Sequence, residues 1–508
     1  MARPRKLILT YVDSLRTDML ERAVAEGRAP RFAALLERGT LIPDCVSSFP
    51  SVTPVACAEL AAGLAADRHW ISGMNWYHRL ERRYVEYGSS WEATRAFGVF
   101  RSLYDLVYNM NLAHLSPRAA TVFEALDDAG VRTACTPFLI YRGRHRHEVS
   151  LDGLLRRAVD ATRLKFHHHT WGPRELFYGD LYASREVPCR STSLPGGRDP
   201  YAACCAARLV ERDLADFILL SLPDNDNHSH REGPEATVDS IARADECFAQ
   251  VVEAAGGLDA LLAAYAVILV ADHAQTPIER GLPLAELLGR DWDVLRPSAD
   301  RPQEAQLAVS PSGRAAHVYL LGDERRRPAA EDVAARLAET EGVELVCALQ
   351  GAGGRLLWRE HPGPPTGTEW ALVERDGATL RFRPGEALRD RRGAGWELEG
   401  DPAALAAEVE DGVVDSELFP DALGRVWAAL GAPHAGDFVV SLAPGYEAVD
   451  WGGVSHAGGG GHGSLRAGDS LGPLVCVGCG PRDAGGRRWA LRDVAPLVRA
   501  HFGVGRAA

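Results

Sequence analysis

Apolar runs that end beside acidic residues are the feature of this chain that most constrains its fold. Three such runs, which lead within two residues to Asp13, Asp224 and Asp272, occur at residues 7–12, 217–222 and 266–270. Short, nearly continuous apolar runs are typical of strands buried on both faces of a parallel sheet. Segments with helical spacing separate them, at 18–38, 201–215 and 238–255. The alternation predicts an α/β fold with a mainly parallel central sheet and helices on both faces.

Two segments interrupt this alternation and predict insertions. Residues 71–200 are rich in Trp, Tyr, Arg and His and lack regular strand–helix alternation, which favours a cap insertion over the functional site. Residues 326–434 contain strand and helix patterns with a Gly/Pro-rich stretch and predict a small α+β insertion. The predicted core then comprises 1–70, 201–325 and 435–508.

The acidic residues that follow the apolar runs belong to a larger set of potential metal ligands. Ligands bind at the carboxyl ends of the strands in sheets of this type, so Asp13, Asp224 and Asp272 are expected to lie close together. Three imidazoles and one hydroxyl complete the set, those of His228, His273, His462 and Thr53. A mixed oxygen and nitrogen set suits two divalent metal ions and favours zinc, with manganese or iron as alternatives. Two such ions can activate an attacking oxygen and stabilise a departing one, which is the chemistry of phosphoric-ester hydrolysis.

Thr53 has a sequence context that suits a nucleophile. It precedes Pro54 at the start of an Ala-rich segment that predicts a helix with Pro in its first turn. The free N–H groups at such a helix start favour a bound anion. A threonine hydroxyl is a weak nucleophile at neutral pH, and coordination to a metal would activate it.

The order and spacing of these motifs resemble the alkaline phosphatase superfamily, and within it the type I phosphodiesterases and nucleotide pyrophosphatases. The motifs are Asp13, Phe-Pro-Ser-Val-Thr at 49–53, Asp224 and His228 with Gly233-Pro234, Asp272-His273, and His462-Gly463. The resemblance implies one metal held by Asp13, Thr53, Asp272 and His273, and a second held by Asp224, His228 and His462. It also implies a transient phosphothreonine at Thr53 and a contact between Asn75 and a phosphoryl oxygen.

Several assignments have alternatives that the sequence leaves open. Asp226 and His230 repeat the spacing of Asp224 and His228 and would replace them if the loop register differs. His456 competes with His462, although the glycine after His462 favours the latter because it allows close backbone approach. The aromatic and basic cluster at 76–79 either contacts substrate or packs the cap.

The predicted function is that of a two-metal phosphoric-ester hydrolase acting on phosphodiesters or pyrophosphate-linked nucleotides. A phosphomonoesterase or phosphonate hydrolase of the same superfamily is an alternative. Ala56 and Asn227 depart from the usual family pattern, so a binding or regulatory homologue is a further alternative. The expected partner is a small phosphorylated molecule, because a net charge of −13 argues against a nucleic-acid polymer.

Targeting signals and cysteine usage favour a cytoplasmic location. The N-terminus leads directly into the first apolar run without a secretory signal, and no apolar run is long enough for a membrane span. The ten cysteines show no framework spacing, which predicts reduced thiols. The oligomeric state stays open.

Overall fold

An eight-stranded central sheet organises the computed structural model, which describes residues 5–148, 169–179, 181–190, 197–297, 302–351, 353–358, 365, 368–481 and 485–505. Its strands lie in the spatial order Thr40–Val46, Leu471–Val477, Tyr265–Val270, Lys6–Val12, Phe217–Leu222, Thr133–Cys135, Glu175–Tyr178 and Tyr182–Ala183. The five strands from Tyr265–Val270 to Glu175–Tyr178 are parallel, whereas Leu471–Val477 runs antiparallel to both of its neighbours. The predicted α/β class with a mainly parallel sheet is confirmed.

The central strands are buried on both faces, as their apolar sequences require. In Lys6–Val12, Leu9 and Tyr11 face one hydrophobic cluster while Ile8 and Val12 face another. The helices on the first face are Thr53–Ala62, Val122–Asp128 and Val494–His501. Those on the second face are Thr17–Ala25, Pro30–Arg38, Arg198–Glu211, Val238–Ala254 and Leu258–Ala264. The strand ends that carry polar residues therefore emerge together at one edge of a three-layered core.

A second, nine-stranded sheet is larger than the predicted α+β insertion. Its strands are Leu307–Ser312, Ala315–Leu320, Phe438–Leu442, Val343–Gln350, Trp370–Arg375, Ala378–Asp390, Gly395–Gly400, Val413–Asp415 and Glu408–Glu410. Residues 307–320 and 438–442 were assigned to the core by sequence, but their strands belong to this second sheet. Leu307–Ser312 pairs with Ala315–Leu320, which pairs with Phe438–Leu442, and only the last of these pairs with Val343–Gln350. The helices Leu284–Leu288, Ala330–Ala338 and Ala422–Gly431 belong to this part of the fold.

The segment predicted as a cap is partly a component of the central sheet. Thr133–Cys135 pairs with Phe217–Leu222, and Glu175–Tyr178 pairs with Thr133–Cys135. These strands are too short to give an apolar run in the sequence, which explains why residues 71–200 show no regular alternation of strands and helices. The same segment contains the hairpins Asn75–His78/Arg83–Glu86 and His145–Glu148/His169–Gly172, and the helices Trp91–Phe97, Val99–Tyr104 and Asp105–His114, the last one π-helical. The short helix Ala66–His69 lies just before it.

The elements nearest to the strand ends are short. A three-stranded sheet combines Gly445–Ala448, Thr276–Leu282 and Gly460–Gly461, and two short helices cover Asp224–Glu232 and Ala467–Ser470. Cys189 and Cys204 form a disulfide with a Cα–Cα distance of 5.8 Å, so the prediction of reduced thiols is wrong for this pair. No single helix in the described ranges is long and apolar enough to cross a membrane, and only the bent pair Val238–Ala254 and Leu258–Ala264 reaches that length and composition jointly.

Candidate metal centre

Three of the predicted ligands follow parallel strands in the sequence and lie close together at the edge of the sheet. Asp13 follows Lys6–Val12, and Asp272 and His273 follow Tyr265–Val270. The Nε2 atom of His273 lies 3.2 Å from Asp272 Oδ2 and 3.8 Å from Asp13 Oδ1. Side-chain nitrogen and oxygen atoms of all three lie within 4.8 Å of one another, which is close enough to share one ion. We call Asp13, Asp272, His273 and the adjacent Thr53 the strand-end group.

Thr53 lies beside this triad at the start of a helix. It is the first residue of Thr53–Ala62, and Pro54 follows in the first turn, as the sequence predicted. Its Oγ1 atom lies 3.3 Å from Nε2 of His273. The Thr53 hydroxyl therefore lies beside the carboxylates at the start of this helix. Pro54 has no N–H, and those of Val55 and Ala56 donate to the Val52 carbonyl, so Thr53 itself supplies the N–H at this helix start that suits an anionic ligand.

A second set of ligands comes from a helix and a glycine-rich loop. Asp226 and His230 lie on one face of Asp224–Glu232, four residues apart, with His230 Nε2 at 3.4 Å from Asp226 Oδ2. His462 Nε2 lies 3.8 Å from Asp226 Oδ1, and the His462 ring stacks on His273 at 3.8 Å. Side-chain nitrogen and oxygen atoms of Asp226, His273 and His462 also lie within 4.8 Å of one another, close enough to share an ion. We call Asp226, His230 and His462 the helix group.

The structure corrects the choice of residues within this helix, because Asp224 and His228 point away from the centre. The Asp224 carboxylate accepts hydrogen bonds from the backbone N–H groups of Arg198 and Asp199 and pairs with the Arg198 guanidinium. His228 Nε2 bonds with the carbonyl of Ala236 at 3.1 Å. Since successive helical residues turn by about 100°, a shift of two residues moves a side chain to the other face. The Asp-x-x-x-His spacing is identical for both pairs, so the sequence motif alone did not discriminate between them.

His462 depends on the glycine that follows it. Gly463 adopts φ +124°, and a Cβ at this position would lie 2.6 Å from the carbonyl oxygen of Ser312. The backbone of this loop is thereby brought against the second sheet, and Arg314 N–H donates to the His462 carbonyl at 2.6 Å. The His462 Nδ1 atom bonds with the Ser51 carbonyl at 2.8 Å, which leaves Nε2 directed at Asp226. The expectation that glycine permits close backbone approach here is confirmed.

The centre concentrates buried negative charge. Burial, followed by repulsion from Asp272 and Asp226, holds the pKa of Asp13 well above its usual range. Burial raises the pKa of Asp272 to about 6 and lowers that of His273 to about 4. Asp13 Oδ1 is buried and accepts no hydrogen bond from any described residue. Buried carboxylates without such compensation are costly, so the arrangement fits cations better than an empty protein interior.

Other polar residues hold these ligands in place, and the sequence motifs did not identify them. Tyr11 OH donates to Asp272 Oδ2 at 3.0 Å, and Ser14 Oγ donates to Asp226 Oδ1 at 2.7 Å. Gln275 Nε2 also donates to Asp226 Oδ1, at 2.5 Å. Tyr11 and Ser14 flank the Asp13 strand end, and Gln275 follows Asp272-His273, so proximity to a motif was the only available signal.

A cavity of about 910 Å³ opens from the centre. Asp13, Thr53, Asp226, His230 and His462 lie in its wall. His456, the residue that competed with His462 in the sequence, also lines it. The His456 ring stacks on His230 at 3.8 Å, and its Nδ1 bonds with the buried Glu447 at 3.0 Å.

The structure does not bring Asn75 to this cavity. Asn75 is 2% exposed, and its amide nitrogen donates to the Val85 carbonyl at 2.9 Å and to Glu86 at 3.1 Å. The cluster at 76–79 is likewise internal, since Trp76 stacks on His434 and Arg79 pairs with Asp437 at 2.8 Å. Of the two alternatives for that cluster, packing of the cap is the one that the contacts support.

The fold and this centre together define the class of protein. A central parallel sheet with helices on both faces, and a strand-end cluster of carboxylates and imidazoles beside a helix-start threonine, match the alkaline phosphatase superfamily. Residues 7–394 match the family of type I phosphodiesterases / nucleotide pyrophosphatases, and the chain belongs to that family. It is therefore a phosphoester hydrolase of the phosphodiesterase and pyrophosphatase type, and this family generally depends on divalent metals. No curated protein matches the chain by sequence.

Solved structures share the fold at low sequence identity. Murine ectonucleotide pyrophosphatase / phosphodiesterase 5 is 12% identical with a TM-score of 0.55, and the match covers 99% of this chain and 96% of that chain. An inactive variant of the same murine protein, in complex with AMP, is 11% identical with a TM-score of 0.56, over 99% and 96% of the two chains. Phosphonoacetate hydrolase from Sinorhizobium meliloti 1021, in complex with phosphonoformate, is 17% identical with a TM-score of 0.53, over 98% and 96%. At these identities the likeness establishes the fold.

Proposed function

We propose that this protein is a two-metal phosphodiesterase of the nucleotide pyrophosphatase type that acts through a phosphothreonine at Thr53. One observation carries the proposal: Thr53 Oγ1 lies 3.3 Å from His273 Nε2, where the strand-end group and the helix group meet. The expected substrate is a small phosphorylated molecule, either a nucleotide or another phosphodiester.

The residues present fit two divalent ions. The strand-end group, Asp13, Thr53, Asp272 and His273, would hold one, and the helix group, Asp226, His230 and His462, would hold the other. The unpartnered buried oxygen of Asp13 and the three clustered carboxylates are the observations that support this fit. A mixed oxygen and imidazole donor set favours zinc over the harder ions, with manganese or iron as alternatives.

Thr53 takes part in both chemical steps of the proposed reaction. The ions, when bound, would acidify the Thr53 hydroxyl and balance charge on the phosphoryl oxygens. Thr53 Oγ1 then forms a bond to phosphorus as the bond to the leaving oxygen breaks, and the leaving group takes up a proton. Water hydrolyses the phosphothreonine and restores the hydroxyl. The backbone N–H of Thr53, at the start of the helix, would favour the negative charge of the phosphoryl oxygens in both steps.

Room for a second ester arm supports diesters over monoesters. The cavity of about 910 Å³ extends well beyond the space that a phosphoryl group needs, and it reaches the segment 100–107 of the cap. A small monoester, or a phosphonate such as phosphonoacetate, would leave most of this space without a ligand. We therefore rank the diesterase reaction above the monoesterase and phosphonate alternatives.

Metal analysis and paired substrates test the proposal. Purified protein should contain about two divalent ions per chain and should hydrolyse bis-p-nitrophenyl phosphate faster than p-nitrophenyl phosphate or phosphonoacetate. A chelator should abolish turnover, and zinc should restore it. Faster hydrolysis of the monoester would overturn the diesterase assignment, while absence of both metal and turnover would support a binding homologue.

A further inference from the structure

The far side of the cavity is an apolar surface of the cap. Phe100 and Leu103 from the helix Val99–Tyr104, and Leu106 and Val107 from the following π-helical segment, face the cavity at spacings of three to four residues. Phe138 and Leu139 line it from the loop after Thr133–Cys135. We call these six residues the apolar wall. Phe100 is 36% exposed and Leu103 is 38% exposed, so the described residues leave much of both side chains uncovered.

Uncovered aromatic and aliphatic side chains inside a cavity indicate a ligand surface. Contiguous exposed apolar patches often mark binding sites, and ligand pockets are lined mainly by apolar residues with few polar groups. The apolar wall shares one cavity with Thr53 and Asp13. A ligand held there is therefore part of the same molecule that presents its phosphorus to Thr53.

Tyr87, Gly88 and Ser89 line the same cavity, and their polar groups are already engaged within the protein. Tyr87 OH bonds with His114 Nδ1 at 2.7 Å and accepts a hydrogen bond from Trp76 at 3.2 Å. The backbone N–H groups of Gly88 and Ser89, and the Ser89 hydroxyl, all donate to Glu86. A nucleobase and its ribose carry several donors and acceptors that would lose water on the apolar wall without gaining partners from these three residues. An aliphatic chain has no such groups to satisfy.

We propose that the substrate is a phosphodiester in which one ester arm is a long aliphatic chain that lies on the apolar wall. This inference rests on the proposed function, because it takes Thr53 as the point of attack. The proposal specifies the aliphatic arm of the substrate and does not specify its leaving group. Binding of the arm would orient the phosphorus, so the contact should raise kcat/KM for long arms over short ones.

A series of p-nitrophenyl alkyl phosphates tests the substrate class on the metal-loaded enzyme. The methyl, butyl and hexyl esters differ only in the arm, and release of p-nitrophenol reports turnover for all three. We expect kcat/KM to rise by about fourfold for each added methylene, because burial of one methylene is worth about 0.8 kcal/mol. Thymidine 5′-(p-nitrophenyl phosphate) should be hydrolysed less efficiently than the hexyl ester.

The methyl ester separates failure of this inference from failure of the proposed function. Turnover of the methyl ester with no gain toward hexyl, or a clear preference for the thymidine ester, would overturn the aliphatic-arm proposal and leave the phosphodiesterase standing. No turnover of any ester by the metal-loaded enzyme would overturn the proposed function itself.

A matched pair of variants locates the contact. Leu103→Gln places an amide in the apolar wall, and Leu112→Gln makes the same change further along the same helical region at a similarly exposed leucine, 43% against 38%, outside the cavity. We expect Leu103→Gln to reduce the ratio of kcat/KM for the hexyl ester to that for the methyl ester by about fivefold, because an aliphatic arm on the apolar wall would strip water from the new amide without giving it a partner. Leu112→Gln should match the wild type. Equal effects of both variants would remove the apolar wall from substrate binding.

Discussion

The two halves of the candidate centre are positioned by different parts of the fold. The strand-end group is fixed by main-chain pairing: Asp13 N–H donates to the Leu222 carbonyl of the neighbouring strand at 3.1 Å, and Ala271 N–H donates to Pro473 at 3.2 Å. The helix group is fixed mostly through side chains, with His230 Nδ1 on the Gly460 carbonyl at 2.7 Å and Asp226 held by Ser14 and Gln275. Geometry set by a sheet follows from the chain's strand pattern, whereas geometry set by a helix face also needs the helical register.

Replacement of Thr53 tests the strand-end group most directly and should give the largest loss of turnover. Thr53→Ala removes the proposed nucleophile and should lower kcat by roughly 10⁴-fold or more, by analogy with the loss of a covalent nucleophile in other hydrolases. Metal content should fall little, because Asp13, Asp272 and His273 stay in place. Steady-state hydrolysis of bis-p-nitrophenyl phosphate and metal analysis provide the measurements.

The control for this variant is Thr53→Ser, which keeps a hydroxyl at the start of the helix. It should retain partial turnover and form a phosphoserine that can be trapped at low pH and detected by mass spectrometry. Wild-type rates in Thr53→Ala would exclude a threonine intermediate and would leave the strand-end group as a metal site only.

A pair of aspartate variants tests the helix group. Asp226→Asn should lose one of the two ions and lower kcat/KM by about 10³-fold, since a metal supplies several kcal/mol of charge stabilisation in the transition state. Asp224→Asn should keep both ions and most activity, while losing about 1 kcal/mol of stability with the N–H contacts to Arg198 and Asp199. The reverse pattern would restore the register that the sequence motif suggested.

The difference between the two groups also explains which of the candidate ligands could be predicted from the sequence. Asp13, Asp272 and His273 follow apolar runs whose strand pairing forces their side chains to one edge, so their proximity could be predicted. Asp224 and Asp226 both follow such a run, and only the helix that begins at Asp224 decides which side chain faces the cavity. The strands Thr133–Cys135 and Glu175–Tyr178 were missed because long-range pairing, not local sequence pattern, defines them.

Asn75 is the next residue to test, with a smaller expected effect on turnover. The family resemblance placed it at the candidate centre, whereas the structure places it in the hairpin Asn75–His78/Arg83–Glu86. Asn75→Ala should destabilise the protein by about 1–3 kcal/mol, because the Val85 carbonyl and Glu86 lose a donor. Its kcat should change by less than about tenfold, since loss of a phosphoryl-oxygen donor would cost about 10²–10³-fold. Thermal unfolding and steady-state kinetics measure the two quantities.

The matched control for Asn75→Ala is Asn111→Ala, another fully buried asparagine whose amide donates to the Leu139 carbonyl and whose carbonyl accepts from Tyr141 N–H. Both variants should lose comparable stability. A rate loss near 10³-fold in Asn75→Ala alone, without a stability loss, would assign Asn75 to the phosphoryl group as the resemblance implied.

Glu59 gives a predicted effect on stability and not on turnover. It lies in the helix that begins at Thr53, is 2% exposed, and its Oε2 has no partner among the described residues. Burial raises its pKa to about 7, against about 4.3 in an unfolded chain. Because the folded state disfavours the charged form, stability from this group is present below about pH 4 and is lost as the pH rises toward about 7.

Glu59→Gln should therefore stabilise the protein more at about pH 8 than at about pH 5, by roughly 2 kcal/mol, because the neutral amide removes a buried charge that forms only at the higher pH. Thermal unfolding of the apo and metal-loaded protein at both pH values measures the difference. The exposed Glu253 in Val238–Ala254 provides the control, and Glu253→Gln should shift the two melting temperatures equally. Parallel shifts for Glu59→Gln as well would mean that the charged Glu59 carboxylate is stabilised in the folded protein by Arg492 and Arg425, whose positive charges act to lower its pKa.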